Sequence, residues 1–323
     1  LFERLAMRAR RGMASAPTLV VLQTQYRMHE HISSWASAAM YNNLLISSPR
    51  VAGHRLSDLP HVLSATDQAR EVKRSDTSDE SEFDDDVFCP LLFIDTAGCG
   101  CFETAIDCSS GLGEIDRGTS VLGGTTATGY VNKGEAIVVV AHVRRLLRIG
   151  LRPAEDIIVI TPYRAQLEHL REQLLPLLPP TAVRTVDGFQ GGEAEAVILS
   201  LVRSRSHHSK ARGDPSRNLN VGFLADDRRL NVAVTRARRH CAVVADSSTV
   251  GQHKFIHELL DHVEQHGEVR SAVTYGVSAD EVSVEAYEGS QAQAEAICKP
   301  QERKHAELQN RTMNEAQAQT ATK

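Results

Sequence analysis

The chain is short of several things, and each shortage excludes a class. Six cysteines in 323 residues are too few for a disulfide scaffold, and a reducing compartment, cytoplasm or nucleus, is the expectation. No apolar run reaches the roughly 18 residues that would span a bilayer. Leu1 to Val20 does not read as a secretory leader, because Glu3, Arg4, Arg8, Arg10 and Arg11 are scattered through it instead of preceding an apolar stretch. No membrane partner is expected. No Gly-Lys pair occurs anywhere, so the phosphate-cradling Gly-x-x-x-x-Gly-Lys-Ser/Thr loop is missing and a free-standing P-loop kinase or small GTPase is excluded. The acidic pair Asp280-Glu281 lies in a polar stretch rather than at the end of an apolar strand. A first residue that is Leu and not Met suggests a fragment of a longer chain.

What is present is ordinary in total and uneven in distribution. Apolar residues make up 41% and charged residues 24%, values that suit a globular protein and exclude collagen, mucin and coiled-coil classes. Net charge is −5. Between Asp76 and Asp86, however, there are seven acids and no base, whereas Leu201 to Arg239 holds ten Arg or Lys against three Asp. A basic patch is hidden under an acidic total.

Apolar runs recur at Leu19–Leu22, Leu91–Ile94, Ile157–Ile160, Ala196–Leu201 and Cys241–Ala245. Runs apolar on both faces suit a buried parallel sheet. Between them lie helical patterns. Asn132 can cap a helix with Glu135 three residues on, carrying Ile137, Val140, Ala141 and Leu147 on one side and ending at Gly150. A helix from Arg164 to about Leu175 follows the turn Thr161-Pro162-Tyr163, and another covers about Asp227 to Arg236. The inferred architecture is one doubly wound α/β domain, a parallel sheet flanked by helices, over residues 1–275. Insertions are expected near 63–86 and 108–130, which are rich in Ser, Thr, Gly and acids, and a disordered or weakly helical tail at 276–323.

Three segments carry candidate chemistry. Thr185-Val186-Asp187-Gly188-Phe189-Gln190-Gly191-Gly192-Glu193 sets backbone N–H groups and a carboxylate where a ligand's phosphates or ribose could meet them, although a bare glycine turn would look the same. Arg229, Arg236 and Arg239 cluster within one or two helical turns, and guanidinium forks match phosphate oxygens. Taken alone, an Arg-rich helix is more often a solvated face. Tyr26 and Arg27 follow a strand, where ligand-facing loops of parallel sheets occur, and could stack on a base and reach a phosphate; the bland alternative is a buried Tyr beside a surface Arg. In the loop Arg203 to Arg217, Arg205, Lys210 and Arg212 could attract a phosphate backbone, with no aromatic to stack a base. Cys99, Cys101 and Cys108 lack metal-ligand spacing and read as small thiols beside a glycine turn, and His207-His208 reads as exposed loop.

Gln25-Tyr26-Arg27-Met28-His29, Ile160 to Gln166, Val186 to Glu193 and Arg228 to Arg239 follow one another in the order and spacing of the C-terminal motor-domain motifs of Upf1-like superfamily 1 helicases, and the chain resembles that group from Leu1 to about Tyr275. Leu91 to Gly100, Val221 to Arg229 and His266 to Arg270 resemble one branch of it in particular. The resemblance implies a RecA-like P-loop NTPase fold, of which this chain is the second motor domain. It implies that Tyr26 stacks on adenine, that Glu193 lies on the nucleotide's sugar side with Gln190 and Gly191 beside it, and that Arg27 and Arg236 are arginine fingers. Gln190 would couple nucleotide to nucleic acid, while Thr161, Pro162, Tyr163 and Thr185 would face the strand; a Thr at a strand end is also commonly a cap. The implied activity is ATP-dependent 5′-to-3′ unwinding of DNA or RNA, with single-stranded DNA or RNA as partner. ATP with Mg²⁺ is the implied cofactor, its metal ligands and phosphate loop lying in an N-terminal RecA-like domain upstream of Leu1. On that reading the fragment is inactive alone. The alternative is a truncated, non-catalytic module that grips nucleic acid or protein.

Overall fold

Strands that are apolar on both faces leave water only if helices cover the sheet above and below, and the described residues are arranged to do that. The computed structural model describes Val20 and residues 22–62, 88–107, 128–205 and 226–277. Ten strands occur among them: β1 (Thr24–Gln25), β2 (Ile46–Ser47), β3 (Leu91–Asp95), β4 (Thr104–Asp107), β5 (Thr128–Val131), β6 (Ile157–Thr161), β7 (Val183–Thr185), β8 (Ala194–Ser200), β9 (Ala237–Ala245) and β10 (Glu268–Ser271). Six form one sheet in the order β10-β3-β9-β8-β6-β7, every pairing parallel. The main helices are α1 (Glu30–Tyr41), α2 (Lys133–Arg148), α3 (Arg164–Leu174), α4 (Asp227–Val234) and α5 (Lys254–His266).

The strand order fixes which helix covers which face. From β3 through α2 to β6, and through α3 to β7, the chain steps toward one edge; from β8 through α4 to β9, and through α5 to β10, it steps toward the other. Right-handed crossovers then place α2 and α3 on one face and α4 and α5 on the opposite one. Packing agrees: α2 lies against α3, and α1 against α4 and α5. Between the two layers Leu91, Leu92, Phe93, Ile94 and residues 196–199 and 241–245 are buried.

Several sequence expectations need correction. Leu22 is 85% exposed, so no buried strand ends there; Leu19 and Val21 lie outside the described residues. Thr128–Val131 does not belong to an insertion but pairs antiparallel with Thr104–Asp107 as a hairpin arm. The first expected insertion, residues 108–127 and the tail from 278 lie outside the described residues. In α2 the deeply buried face is Val139, Val143 and Leu146, while Ile137 and Ala141 are only half-buried. Asn132 does cap α2, accepting the Glu135 N–H at 3.0 Å, yet the Glu135 carboxylate turns inward instead of closing a capping box. Helix α1 escapes the apolar pattern because its buried face mixes Ile32 and Trp35 with Ser33, Ala36 and Ser37, which leaves little contrast between faces.

Candidate functional site

The front motif is held by its own first residue. Gln25 Oε1 accepts the backbone N–H groups of Arg27 and Met28, both at 2.8 Å, while its Nε2 donates to Met28 O and Ser47 Oγ, both at 2.7 Å. A turn clamped at both ends of one side-chain amide has few other conformations. It exposes Tyr26, at 69% of its surface, and directs Arg27 inward. The Arg27 Nε–H donates to Glu193 at 2.6 Å and Nη1 to Thr235 O at 3.2 Å.

Glu193 is the hub. Its other carboxylate oxygen accepts from Arg238 Nη1 at 3.0 Å, and it immediately precedes β8, whose Ala194 N–H bonds to Arg236 O. Arg236 is tied back to the protein, with Nε donating to Val232 O at 2.9 Å and Nη1 to Gly192 O at 3.1 Å. Desolvation, then the neighbouring Arg27 charge, lowers the Arg236 pKa from its ordinary value. Gly191 has φ of 87°, a region open to glycine at no steric cost. A Cβ on Gly192 would meet the Phe189 ring at 2.6 Å, so a side chain there would displace that ring. Tyr26, Arg27, Gly191, Gly192, Glu193 and Arg236 thus share one locality, with Gln190 exposed beside it.

That locality sits at the amino ends of β8 and β9, not at the carboxyl ends where open parallel sheets usually bind ligands. The expectation drawn from the strand before Tyr26 fails because β1 is two residues long and pairs only with β2, outside the six-stranded sheet. Chemically, three guanidiniums gather around one carboxylate, and a partly desolvated Arg beside another Arg favours an anion between or before them. Arg239 and Arg229 are already assigned, to Glu195 at 2.7 Å and to Asp187 and Asp226 at 3.4 and 3.6 Å.

The carboxyl ends carry a second cluster. Thr161 is fully buried as the last residue of β6, and its Oγ1 reaches no partner among the described residues; flanked by β7 and β8, it offers no surface to a strand, contrary to expectation. Pro162 and Tyr163 are half-buried. Thr185 Oγ1 accepts the Gly188 N–H at 3.1 Å. Arg203 is not a loop base open to phosphate: it is 4% exposed, bonds Glu103 through Nε at 2.6 Å and Nη2 at 3.2 Å, reaches the Tyr163 hydroxyl at 3.4 Å, and lies over the Tyr130 ring at 4.4 Å. Arg205 is half-exposed. Lys210 and Arg212 lie outside the described residues. Residues 186–193 run from the carboxyl end of β7 to the amino end of β8 and so join the two clusters along the sheet edge, with Gln190 on the way.

Under the carboxyl-end turn lies Glu135, fully buried. It accepts from Ser200 Oγ and the Val202 N–H, both at 2.8 Å. Burial pushes its pKa up to about 8, with those two hydrogen bonds pulling back. A folded-state pKa above the unfolded value means that the native state binds the extra proton, so stability falls as pH rises toward 8. Below 6.5 the buried His29, lowered to about 4 by desolvation and then by His31, works in the opposite sense. From pH 6.5 to 8 the slope therefore belongs to Glu135. Urea midpoints should fall across that window, with a slope of at most about 1.4 kcal/mol per pH unit, and Glu135→Gln should flatten the fall. An equally steep decline in the Gln variant would refute the assignment.

Gln25, Glu103, Tyr130, Glu135 and Arg238 were missed as site-forming residues. Gln25 and Arg238 had a local signal, their places within the motifs, and Glu135 was legible only as the partner of a helix cap. Glu103 lies 100 residues from Arg203 in sequence, and no periodicity reports such a pair. Cys99 and Cys101 are buried free thiols. No helix among the described residues is long and apolar enough to cross a membrane.

Comparison with known proteins matches residues 1–248 to the family described as an AAA domain. DNA-binding protein SMUBP-2 of Rattus norvegicus is 42% identical over 275 residues, covering 85% of this chain and 22% of that protein. DNA polymerase alpha-associated DNA helicase A of Saccharomyces cerevisiae is 36% identical over 253 residues, 77% of this chain and 31% of that protein. A Regulator of nonsense transcripts 1 homolog of Neurospora crassa is 35% identical over 144 residues, 42% of this chain and 12% of that protein. The chain thus spans about a fifth to a third of the length of the first two relatives.

Proposed function

The chain belongs to the Upf1-like superfamily 1 helicases, and from that premise we propose that it is the second motor domain of an ATP-dependent 5′-to-3′ helicase acting on DNA or RNA. The observation that carries the reading is the meeting of Arg27 and Arg236 at Glu193 and Gly192, with Tyr26 exposed beside them. Adenine stacks on Tyr26, and a ribose hydroxyl donates to Glu193. The Glu193 carboxylate keeps lone pairs for that hydroxyl beside its bonds to Arg27 and Arg238, so Arg27 stays oriented by Glu193 while its guanidinium faces the γ-phosphate. Arg236 is oriented by backbone carbonyls. Phosphoryl transfer spreads negative charge over the γ-phosphate oxygens, and two guanidiniums brought there stabilise it in the transition state. The nucleotide is held from the other side by a phosphate loop and Mg²⁺ ligands that we assign to an upstream RecA-like domain. Among the described residues no group of three His, Cys, Asp or Glu side chains is placed to hold a metal.

The single strand is placed at the carboxyl ends, along Pro162, Tyr163 and Arg205, with Lys210 and Arg212 following in sequence. Residues 186–193 support the coupling role of Gln190, since they connect this end with the nucleotide end. Cytoplasm and nucleus both suit such a partner.

The test is single-strand-stimulated ATP hydrolysis and unwinding of a 5′-tailed duplex by the full-length protein; absence of both would favour the non-catalytic binding module. Tyr26→Ala should raise KM for ATP about tenfold, from a stacking contribution of roughly 1–3 kcal/mol, with kcat little changed because stacking is used in ground and transition states alike. An unchanged KM would remove Tyr26 from the adenine site.

A further inference from the structure

Val202 is fully buried and has φ of 73°. For a β-branched residue this is a true outlier, since its Cβ crowds the neighbouring carbonyl oxygen. Such a conformation persists only where the surroundings over-determine it, and it tends to be kept where geometry serves a purpose. The surroundings here are specific. The Val202 N–H donates to Glu135 Oε2 at 2.8 Å, and Val202 O accepts from Asn132 Nδ2 at 3.0 Å. Gln166, one turn into α3, completes the set by donating to Ser200 Oγ at 3.1 Å and Asn132 O at 3.1 Å, and by accepting the Asn132 N–H at 2.9 Å.

The strain redirects the chain. An extended Val202 would carry β8 onward, whereas the positive-φ turn, closed by the Arg203 N–H donating to Leu201 O at 2.8 Å, swings residues 203–205 across the carboxyl end, and each is then fastened. Arg203 is gripped by Glu103, Tyr163 and Tyr130. The Ser204 N–H donates to Glu103 at 3.1 Å and its Oγ to Asp246 at 2.7 Å, and the Arg205 N–H donates to Thr249 Oγ1 at 3.2 Å. Two costly features, a buried carboxyl group and a strained residue, are therefore spent on one arm whose outward products are the Tyr163 turn and Arg205.

We infer that Glu135 is a positioning residue for single-strand binding: with Asn132 it holds Val202 in the positive-φ conformation and so aims the arm Val202–Arg205 and the Tyr163 turn along the nucleic-acid side. The inference rests on the placement of the strand at the carboxyl ends. It separates Glu135 from the nucleotide cluster, which lies at the opposite ends of the same strands.

The experiment uses the full-length protein and fluorescent oligo-dT, reading Kd for the strand alongside KM and kcat for ATP. Glu135→Ala is expected to weaken strand binding about tenfold or more, because without its Glu135 partner the strained Val202 relaxes out of its positive-φ conformation and the arm loses its aim, while KM for ATP stays within about twofold. Glu135→Gln keeps an acceptor for that N–H and should bind nearly as wild type. Glycine adopts a positive φ without strain, so Val202→Gly added to Glu135→Ala should restore much of the lost affinity. That rescue is not expected of a residue that merely supports the fold. Where Glu135→Ala alone does not fold, the strain-relieved double variant decides: recovery of binding supports the inference and loss overturns it. Unchanged binding in Glu135→Ala, or a KM for ATP that rises in step with Kd, also overturns it. Wild-type protein that binds no strand overturns the reading on which it rests.

Discussion

Arg236→Ala in the full-length protein is expected to cut ATP turnover by roughly 10³- to 10⁵-fold with little change in KM. The reason is where the charge acts. A guanidinium aimed at phosphate oxygens that gain charge only in transit lowers the barrier without tightening the ground state. In this chain Arg236 is held by Val232 O and Gly192 O and is partly desolvated, so its charge is less screened by water. Lysine should not rescue it, because an ammonium cannot keep the two-carbonyl fork while presenting charge in the same place. Phosphate release measured with saturating single strand is the check. Turnover within about threefold of wild type would make the arginine helix a solvated face and leave Arg236 without the transition-state role.

Arg203→Ala is expected to destabilise the fold by about 3–5 kcal/mol, the usual cost of breaking a buried pair from one side. Arg203 is 4% exposed, Glu103 only 14% at its side chain, and the two are joined by two parallel hydrogen bonds. Removing the cation leaves the carboxylate uncompensated and uncovers the Tyr130 face. Equilibrium urea unfolding is the measurement. The double variant Arg203→Ala/Glu103→Ala should be less unstable than the sum of the two single variants, since the second change removes the orphaned charge. Additive losses would mean that the pair contributes no coupling. Both sites can be tested apart, because Arg203 and Arg236 lie at opposite ends of β8 and β9.

The sequence by itself determined four of the sheet's six strands and three of the five main helices, α2, α3 and α4. β3, β6, β8 and β9 are apolar on both faces, a pattern with one solution, burial between two helical layers, and Asn132 announced the start of α2 as a cap does. Four motifs in order also made the family legible, and with it the residues that gather at Glu193. Only the tertiary structure decided where those residues stand. Local pattern cannot tell the amino from the carboxyl end of a sheet when the motif follows a strand that belongs elsewhere, as Tyr26 and Arg27 follow β1. Nor can it tell an available base from a committed one. Arg203 and Arg205 are two residues apart and equally basic, yet one is buried on Glu103, just before β4 and 100 residues earlier, and the other is half-exposed. The positive-φ turn at Val202 had no sequence signal either, because valine is the residue least expected there. Its conformation is held by the Glu135 carboxyl group of α2 and the amide of its cap, Asn132, and contacts between distant segments are set by the packed fold rather than by the neighbours in the chain.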